Sequence, residues 1–158
     1  MGNICRSPLA EGLFLDLLRK EEQADLVERF RVDSAGTGGW HAGAKPDVRS
    51  QEVAMRNGFA LPSLARQVTS EDFTQFDLIL AMDRQNYQDL KMDSEALETQ
   101  EKKATIKLMR DYDSPEFVGQ DVPDPYYGGT NGFDTVFAML KRSCTQLLEQ
   151  IKKEQQWT

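Results

Sequence analysis

Two short segments hold residues whose types and spacing could do chemistry. The first is Gly2-Asn3-Ile4-Cys5-Arg6-Ser7-Pro8. Gly and Asn tolerate positive φ, so successive main-chain N–H groups can turn inward as an anion nest. Ser7-Pro8 reads as a helix start, with a capping hydroxyl and then a proline, and a helix N-terminus favours negative charge at the same place. Arg6 adds a planar fork able to hold two oxygens of an oxyanion. A capped helix with a surface arginine would look the same. The second segment is Asp124-Pro125-Tyr126-Tyr127-Gly128-Gly129. Asp124 could protonate the leaving oxygen of a phosphate ester. Pro125 stiffens the backbone beside it, and Tyr126 and Tyr127 offer flat apolar faces to an aryl ring. By itself this segment reads more readily as a surface turn, because Asp-Pro and Gly-Gly are turn signals. Trp40, in the glycine-rich stretch from Ser34 to Gly43, is either a pocket wall or an anchoring hydrophobe. His41 reads as a solvent-facing loop residue.

These residues need elements to position them. Ala10, Leu13, Phe14, Leu17 and Leu18 form one apolar face of a first helix, closed by the polar run Arg19 to Gln23. Phe30 and Val32 alternate with Arg31 and Asp33, which predicts a short strand. Pro46-Asp47 opens a second helix that Asn57-Gly58 ends. Leu78 to Met82 is a continuous apolar run, expected to be a strand covered on both faces. Asp83 can cap the helix after it. Ile106 and Leu108 mark another strand. Phe133, Val136, Phe137, Leu140, Cys144, Leu147, Leu148 and Ile151 make the stripe of a last helix, which puts Cys144 in the core. Alternating helices and strands predict an α/β fold with a parallel sheet between helical layers, and ligands at the carboxyl edge of the strands.

The chain has 158 residues, the size of one domain, so 1–158 is expected to fold as a unit. Its net charge of -7 argues against nucleic acid and anionic membrane as partners. No apolar run reaches the ~20 residues of a membrane span. Two cysteines and one histidine cannot furnish a His/Cys zinc site, and the cysteine usage suits a reducing compartment. The charge clusters Lys20 to Glu22 and Glu101 to Lys103 read as solvated faces.

The string Gly2-Asn3-Ile4-Cys5-Arg6-Ser7-Pro8 resembles the signature loop of the low-molecular-weight protein tyrosine phosphatases. Asp33-Ser34-Ala35-Gly36-Thr37, Ala65-Arg66-Gln67, Phe76 to Asp83 and Asp124 to Gly128 resemble further family segments in the same order, so the likeness covers nearly the whole chain. It implies a three-layer α/β fold around a central four-stranded parallel sheet. The family pattern is Cys, five residues, Arg, Ser. Counted back from Arg6, the nucleophilic cysteine falls one position before Met1, outside this chain, and the first strand is largely missing with it. A start assigned at an internal methionine, or a truncated chain, is the expected explanation.

Carried to matching positions, the family mechanism needs a thiolate that attacks phosphorus, with Arg6 and the amides of the loop holding the equatorial oxygens. Asp124 is then the acid for the leaving phenolate and the base for the water that hydrolyses the phosphocysteine. Gly2, Asn3, Ile4, Cys5 and Ser7 shape the phosphate site; Trp40, Tyr126 and Tyr127 line the aryl pocket. Asn3 and Ser7 hold the loop, with Ser7 hydrogen-bonding the thiolate. Arg66 and Asp83 read as structural. Cys5 is either a packed hydrophobe or, in the family, a redox partner of the nucleophile. Several members carry a histidine where this chain has Ser63, so a supporting hydrogen bond is replaced or absent.

The resulting expectation is a cytoplasmic, monomeric protein-tyrosine phosphatase that needs no metal or cofactor. Its substrate is a phosphotyrosine protein, with a tyrosine kinase as one candidate. The alternatives are a catalytically inactive phosphate- or phosphotyrosine-binding domain and, ranked last, an arsenate reductase, which would need further cysteines in a mobile loop.

Overall fold

A computed structural model describes residues 2–23, 25–126, 128–129 and 131–157. Helix α1 (Arg6–Arg19) buries Leu9, Leu13, Phe14 and Leu18 on its apolar stripe. It packs against α5 (Asn131–Glu154), which buries Phe133, Val136, Leu140, Cys144, Leu147 and Leu148. Val53 and Ala54 of α2 (Val48–Arg56) join the same core. Each fully buried Leu, Val or Phe side chain here contributes roughly 1.5–3 kcal/mol. Asp47 caps α2 by accepting from the Arg49 N–H at 2.9 Å, and Gly58, at φ +87, turns the chain just after it.

Strands β1 (Leu78–Ala81) and β2 (Thr105–Leu108) pair in parallel, Leu78 opposite Thr105 and Ala81 opposite Leu108. Helix α4 (Arg84–Ala96) connects them, capped by Asp83, whose Oδ1 accepts from the Asn86 N–H at 2.8 Å. Side chains alternate across the sheet as the pleat requires. Leu78 and Leu80 face the α1–α5 core, with Met82 just beyond the strand. Ile79, Ala81, Ile106 and Leu108 face a second cluster with Phe73 of α3 (Asp72–Gln75) and Leu90 of α4. Helices therefore cover both faces of a parallel sheet.

Three expectations need correction. First, among the described residues the ladder has two strands, not four. Phe30–Val32 forms no strand: between Arg31 and Ala35 no main-chain group bonds another main-chain group, and pairing resumes only as the isolated bridge Gly36–Gln67. Alternation specifies an extended, half-buried segment, but a strand also needs a neighbour to pair with. Phe30 instead packs edge-on against Phe14 and Trp157, 5.6 Å between centroids in each case. Second, Leu78, Ile79 and Leu80 are only half-buried, although their continuous apolar run predicted cover on both faces. They border a cleft of about 1210 Å³ that separates β1 from the Phe30–Ser34 segment and reaches the loop Gly2–Ser7. Third, Ser7 is not the cap of α1. The helix begins at Arg6, two residues earlier than expected, Cys5 takes the cap position with no side-chain bond, and the Ser7 hydroxyl accepts from Asn3.

Candidate active site

The loop Gly2–Ser7 has its polarity sorted. Two of its carbonyls point away from the helix terminus: Ile4 C=O accepts from the Asp47 N–H at 2.7 Å, and Cys5 C=O from the Ser50 hydroxyl at 3.1 Å. Among the described residues no main-chain acceptor takes the N–H groups of Asn3, Ile4 or Cys5. Asn3 adopts φ +59, the left-handed turn that an inward-facing row of amides requires. These amides, with the first turn of α1 behind them, form a cradle for an anion.

Asn3 is braced at three points. Its Nδ2 donates to Ser7 Oγ at 2.8 Å and to Ser34 Oγ at 3.1 Å, while its Oδ1 accepts from the Arg66 N–H at 3.1 Å. Behind Ser34 lies Glu11, buried on α1. Glu11 accepts from Ser34 Oγ at 2.7 Å and from Ser63 Oγ at 2.6 Å. The support that Ser63 was expected to replace or lose thus reaches the loop indirectly, through Glu11 and Ser34. The Arg66 guanidinium pairs with Asp72 at 2.9 Å and Asp33 at 3.1 Å, which fixes the backbone that donates to Asn3.

Arg6 is 4% exposed. Its Nη1 donates to Asp83 Oδ2 at 2.7 Å and to Val122 C=O at 2.8 Å. Its Nη2 is buried and, among the described residues, bonds no protein atom, so one arm of the fork is anchored and the other is free to donate. Burial pushes the Asp83 carboxyl up, but the Asn86 N–H and the Arg6 guanidinium outweigh it and hold it below the usual carboxylate range. Asp83 therefore keeps its charge and its hold on Arg6.

The acid segment arrives from the other side. Val122 is fully buried and donates its N–H to Met82 C=O at 2.8 Å; two residues on, Asp124 is exposed and its Oδ1 accepts from the Tyr126 N–H at 3.0 Å. Arg49 holds the turn from below, donating to Tyr126 C=O at 3.1 Å, with its guanidinium 5.6 Å from the Tyr126 ring. Gly2, Asn3, Ile4, Cys5, Arg6, Ser7, Trp40, Asp124 and Tyr126 all line the same cleft. Tyr127 lies outside the described residues. Trp40 is 68% exposed and folds over Gly38, which leaves no room for a Cβ there. His41, expected to face solvent, is half-buried: its ring covers Gly2, where again no Cβ would fit.

Neither cysteine is poised to ionise. Burial, then the carboxylates of Asp47 and Asp124, push the Cys5 thiol up to about 12. Burial alone takes Cys144, in the core face of α5, to about 12. Glu11 and Val122 were not singled out in the sequence, and Ser34 only as part of the segment Asp33–Thr37. Glu11 could have been suspected only as a polar residue on an apolar helix, and nothing local marks Val122 as an acceptor for Arg6.

A family model described as low molecular weight phosphotyrosine protein phosphatase matches residues 1–157. The human low molecular weight phosphotyrosine protein phosphatase is 42% identical over 149 residues, covering 94% of this chain and 90% of that protein. The crystal structure of YfkJ from Bacillus subtilis superimposes with a TM-score of 0.83 at 42% identity, covering 98% of this chain and 91% of that one. A Drosophila arginine phosphatase superimposes with a TM-score of 0.82 at 30% identity, covering 96% and 94%. With the Gly2–Ser7 loop, the anchored Arg6 and the Asp124 turn set around one cleft, the chain belongs to the low molecular weight phosphotyrosine protein phosphatase family.

Proposed function

We propose that this chain is the body of a protein-tyrosine phosphatase and that Gly2–Ser7 holds the phosphoryl group. The observation that carries the reading is the sorted polarity of the loop, with carbonyls turned to α2 and amides left free beside the buried Nη2 of Arg6. Arg6 and the amides would stabilise the equatorial oxygens as charge spreads in the transition state. Asp124, exposed at the mouth, would protonate the leaving phenolate and then activate water. Trp40, Tyr126 and Tyr127 would line the aryl pocket. By the family pattern the nucleophile would be the thiolate of a cysteine immediately before Met1; burial pushes both thiols of this chain up to about 12. In that form Cys5 would be its redox partner. Residues 1–158 act as one domain, monomeric and cytoplasmic, on phosphotyrosine proteins that include a tyrosine kinase.

The test compares the chain as it stands with one that carries a short apolar segment ending in cysteine before Met1. The extended protein should hydrolyse phosphotyrosine in the presence of a chelator. Loss of turnover on replacing that cysteine by serine supports the assignment; no turnover in the extended protein overturns it. The high thiol values favour a second reading for the chain as written, a phosphate- or phosphotyrosine-binding domain without hydrolysis. Calorimetry with inorganic phosphate decides that. The likeness to an arginine phosphatase makes phosphoarginine the competing substrate, to be run in the same assay. Arsenate reduction stays last, because Cys144 is fixed in a helix.

A further inference from the structure

A knot of buried charge lies outside the cleft and has no part in the chemistry described above. The Asp113 carboxylate is fully buried. Its Oδ1 accepts from the Ser114 N–H at 2.8 Å and from Arg142 Nε at 2.9 Å, and its Oδ2 from Arg110 Nε at 2.9 Å. The Phe117 ring lies 5.1 Å from the Arg110 guanidinium and 5.2 Å from that of Arg142, which folds the segment after Asp113 back over both cations. A buried ion pair adds little stability over apolar side chains of the same volume. What an arginine adds is a rigid fork, which can hold two partners in fixed relation.

The two arginines use their forks differently. Arg142, on α5, is 39% exposed, and among the described residues it hydrogen-bonds only Asp113. Arg110 is 4% exposed and reaches two ways, with Nε on Asp113 and Nη1 donating to Asp121 C=O at 3.1 Å. It sits in the turn Met109–Tyr112 directly after β2, so it ties residue 121 to the end of the sheet. The Asp121 side chain accepts from the Arg84 N–H at 2.9 Å. Val122 follows, donating to Met82 C=O and accepting from Arg6. After Pro123, whose ring fixes φ, comes Asp124. The exposed acid therefore projects from a backbone that is pinned just behind it.

We infer that Arg110 is a positioning residue for proton transfer by Asp124: Asp113 holds one arm of its fork, and the other arm sets the backbone at Asp121 and with it the place of the Asp124 carboxyl. This rests on the phosphatase reading above. Arg110 itself lies outside the cleft and acts through the chain. Proton transfer is sensitive to such placement, because a shift of about 1 Å costs up to about a hundredfold in rate. Arg6 depends on Arg110 far less, since Asp83 anchors it independently.

The test uses the form carrying the upstream cysteine and two substrates: phosphotyrosine, whose phenolate needs a proton to leave, and dinitrophenyl phosphate, whose anion leaves without one. The quantity read is kcat/KM, which reports the steps up to loss of the leaving group. Arg110→Met should lower it about tenfold on phosphotyrosine and by less than about twofold on dinitrophenyl phosphate. Arg142→Met removes the other partner of Asp113 and Phe117 and should leave both substrates within about twofold of the parent. Calorimetry with inorganic phosphate, on the chain as it stands, should give Arg110→Met an affinity within about twofold of the parent. Arg110→Lys replaces the methionine variant if that one does not fold. It keeps a charge for Asp113 but offers one donor point in place of a fork, and should show the same split at about threefold. Equal loss on both substrates, weakened phosphate binding, the same split in Arg142→Met, or no split in a folded Arg110 variant each overturns the inference while the phosphatase reading stands. A parent that hydrolyses neither substrate overturns that reading and the inference with it.

Discussion

The Gly2–Ser7 loop and the Asp124 turn both line one cleft and are held in different ways. Asn3 and Arg6 are 4% exposed, and each bonds partners from distant parts of the chain: Ser34 and Arg66 for Asn3, Asp83 and Val122 for Arg6. Asp124 is exposed, and its carboxylate accepts from the backbone N–H two residues on. A group that must meet charge as it develops benefits from being fixed beforehand. A group that hands a proton to a departing oxygen has to stay within reach of solvent. If this contrast is right, substitutions in the loop should cost fold and binding together, while those in the turn should cost catalysis alone.

The hardest test of the contrast is Arg6→Ala. It leaves Asp83 without its guanidinium and Val122 C=O without a donor, so denaturant unfolding should show a loss of about 3–5 kcal/mol. Calorimetry should show phosphate affinity down by at least about tenfold, the value of one charge-assisted hydrogen bond. Asp124→Asn should do the opposite. In the form carrying the upstream cysteine, kcat on phosphotyrosine should fall by about 10²–10⁴, while the melting curve and phosphate affinity stay as they were. Asn3→Ala comes next. It strains a backbone at φ +59 and removes three hydrogen bonds, for roughly 1–3 kcal/mol in denaturant unfolding.

Acid probes the same braces without mutation. Asp72, Asp83 and Asp113 are all held below the usual carboxylate range, against the pull of burial, by arginines and main-chain amides. A lowered native value contributes stability that is complete above the ordinary range and is lost as pH falls through the lowered values. Stability should therefore be flat down to about pH 5 and fall below about pH 4, and Asp83→Asn should make that fall shallower. The smallest effect belongs to Trp40→Ala, an exposed ring over a glycine, which should stay within about 0.5 kcal/mol of the parent. A loss of several kcal/mol there would break the contrast between a braced loop and a loosely held rim.

What could be read in the sequence follows how local each signal was. The α5 stripe from Phe133 to Leu148 and the caps at Asp47 and Asp83 depend on neighbours a few residues away, and they form as expected. The glycine and asparagine of the anion loop also carry their own backbone preferences. The brace of Asn3 could not be read that way, because Ser34 is thirty-one residues distant and works through Glu11 on a different element. His41 looked like a loop residue because only the fold brings it over Gly2. Phe30–Val32 shows the reverse failure. Its alternation was genuine, but pairing depends on what lies beside a segment, which its own residues do not state.

The union of α1 with α5 also bears on how the protein is made. The core that seats the phosphate loop joins residues 9–18 to residues 133–148, the two ends of the chain. On a ribosome α1 emerges long before α5, because synthesis runs from the amino end. For nearly the whole of translation Leu9, Leu13 and Phe14 lack the surface they will cover. The face of α1 beneath the Gly2–Ser7 loop can therefore be covered only once α5 has been made.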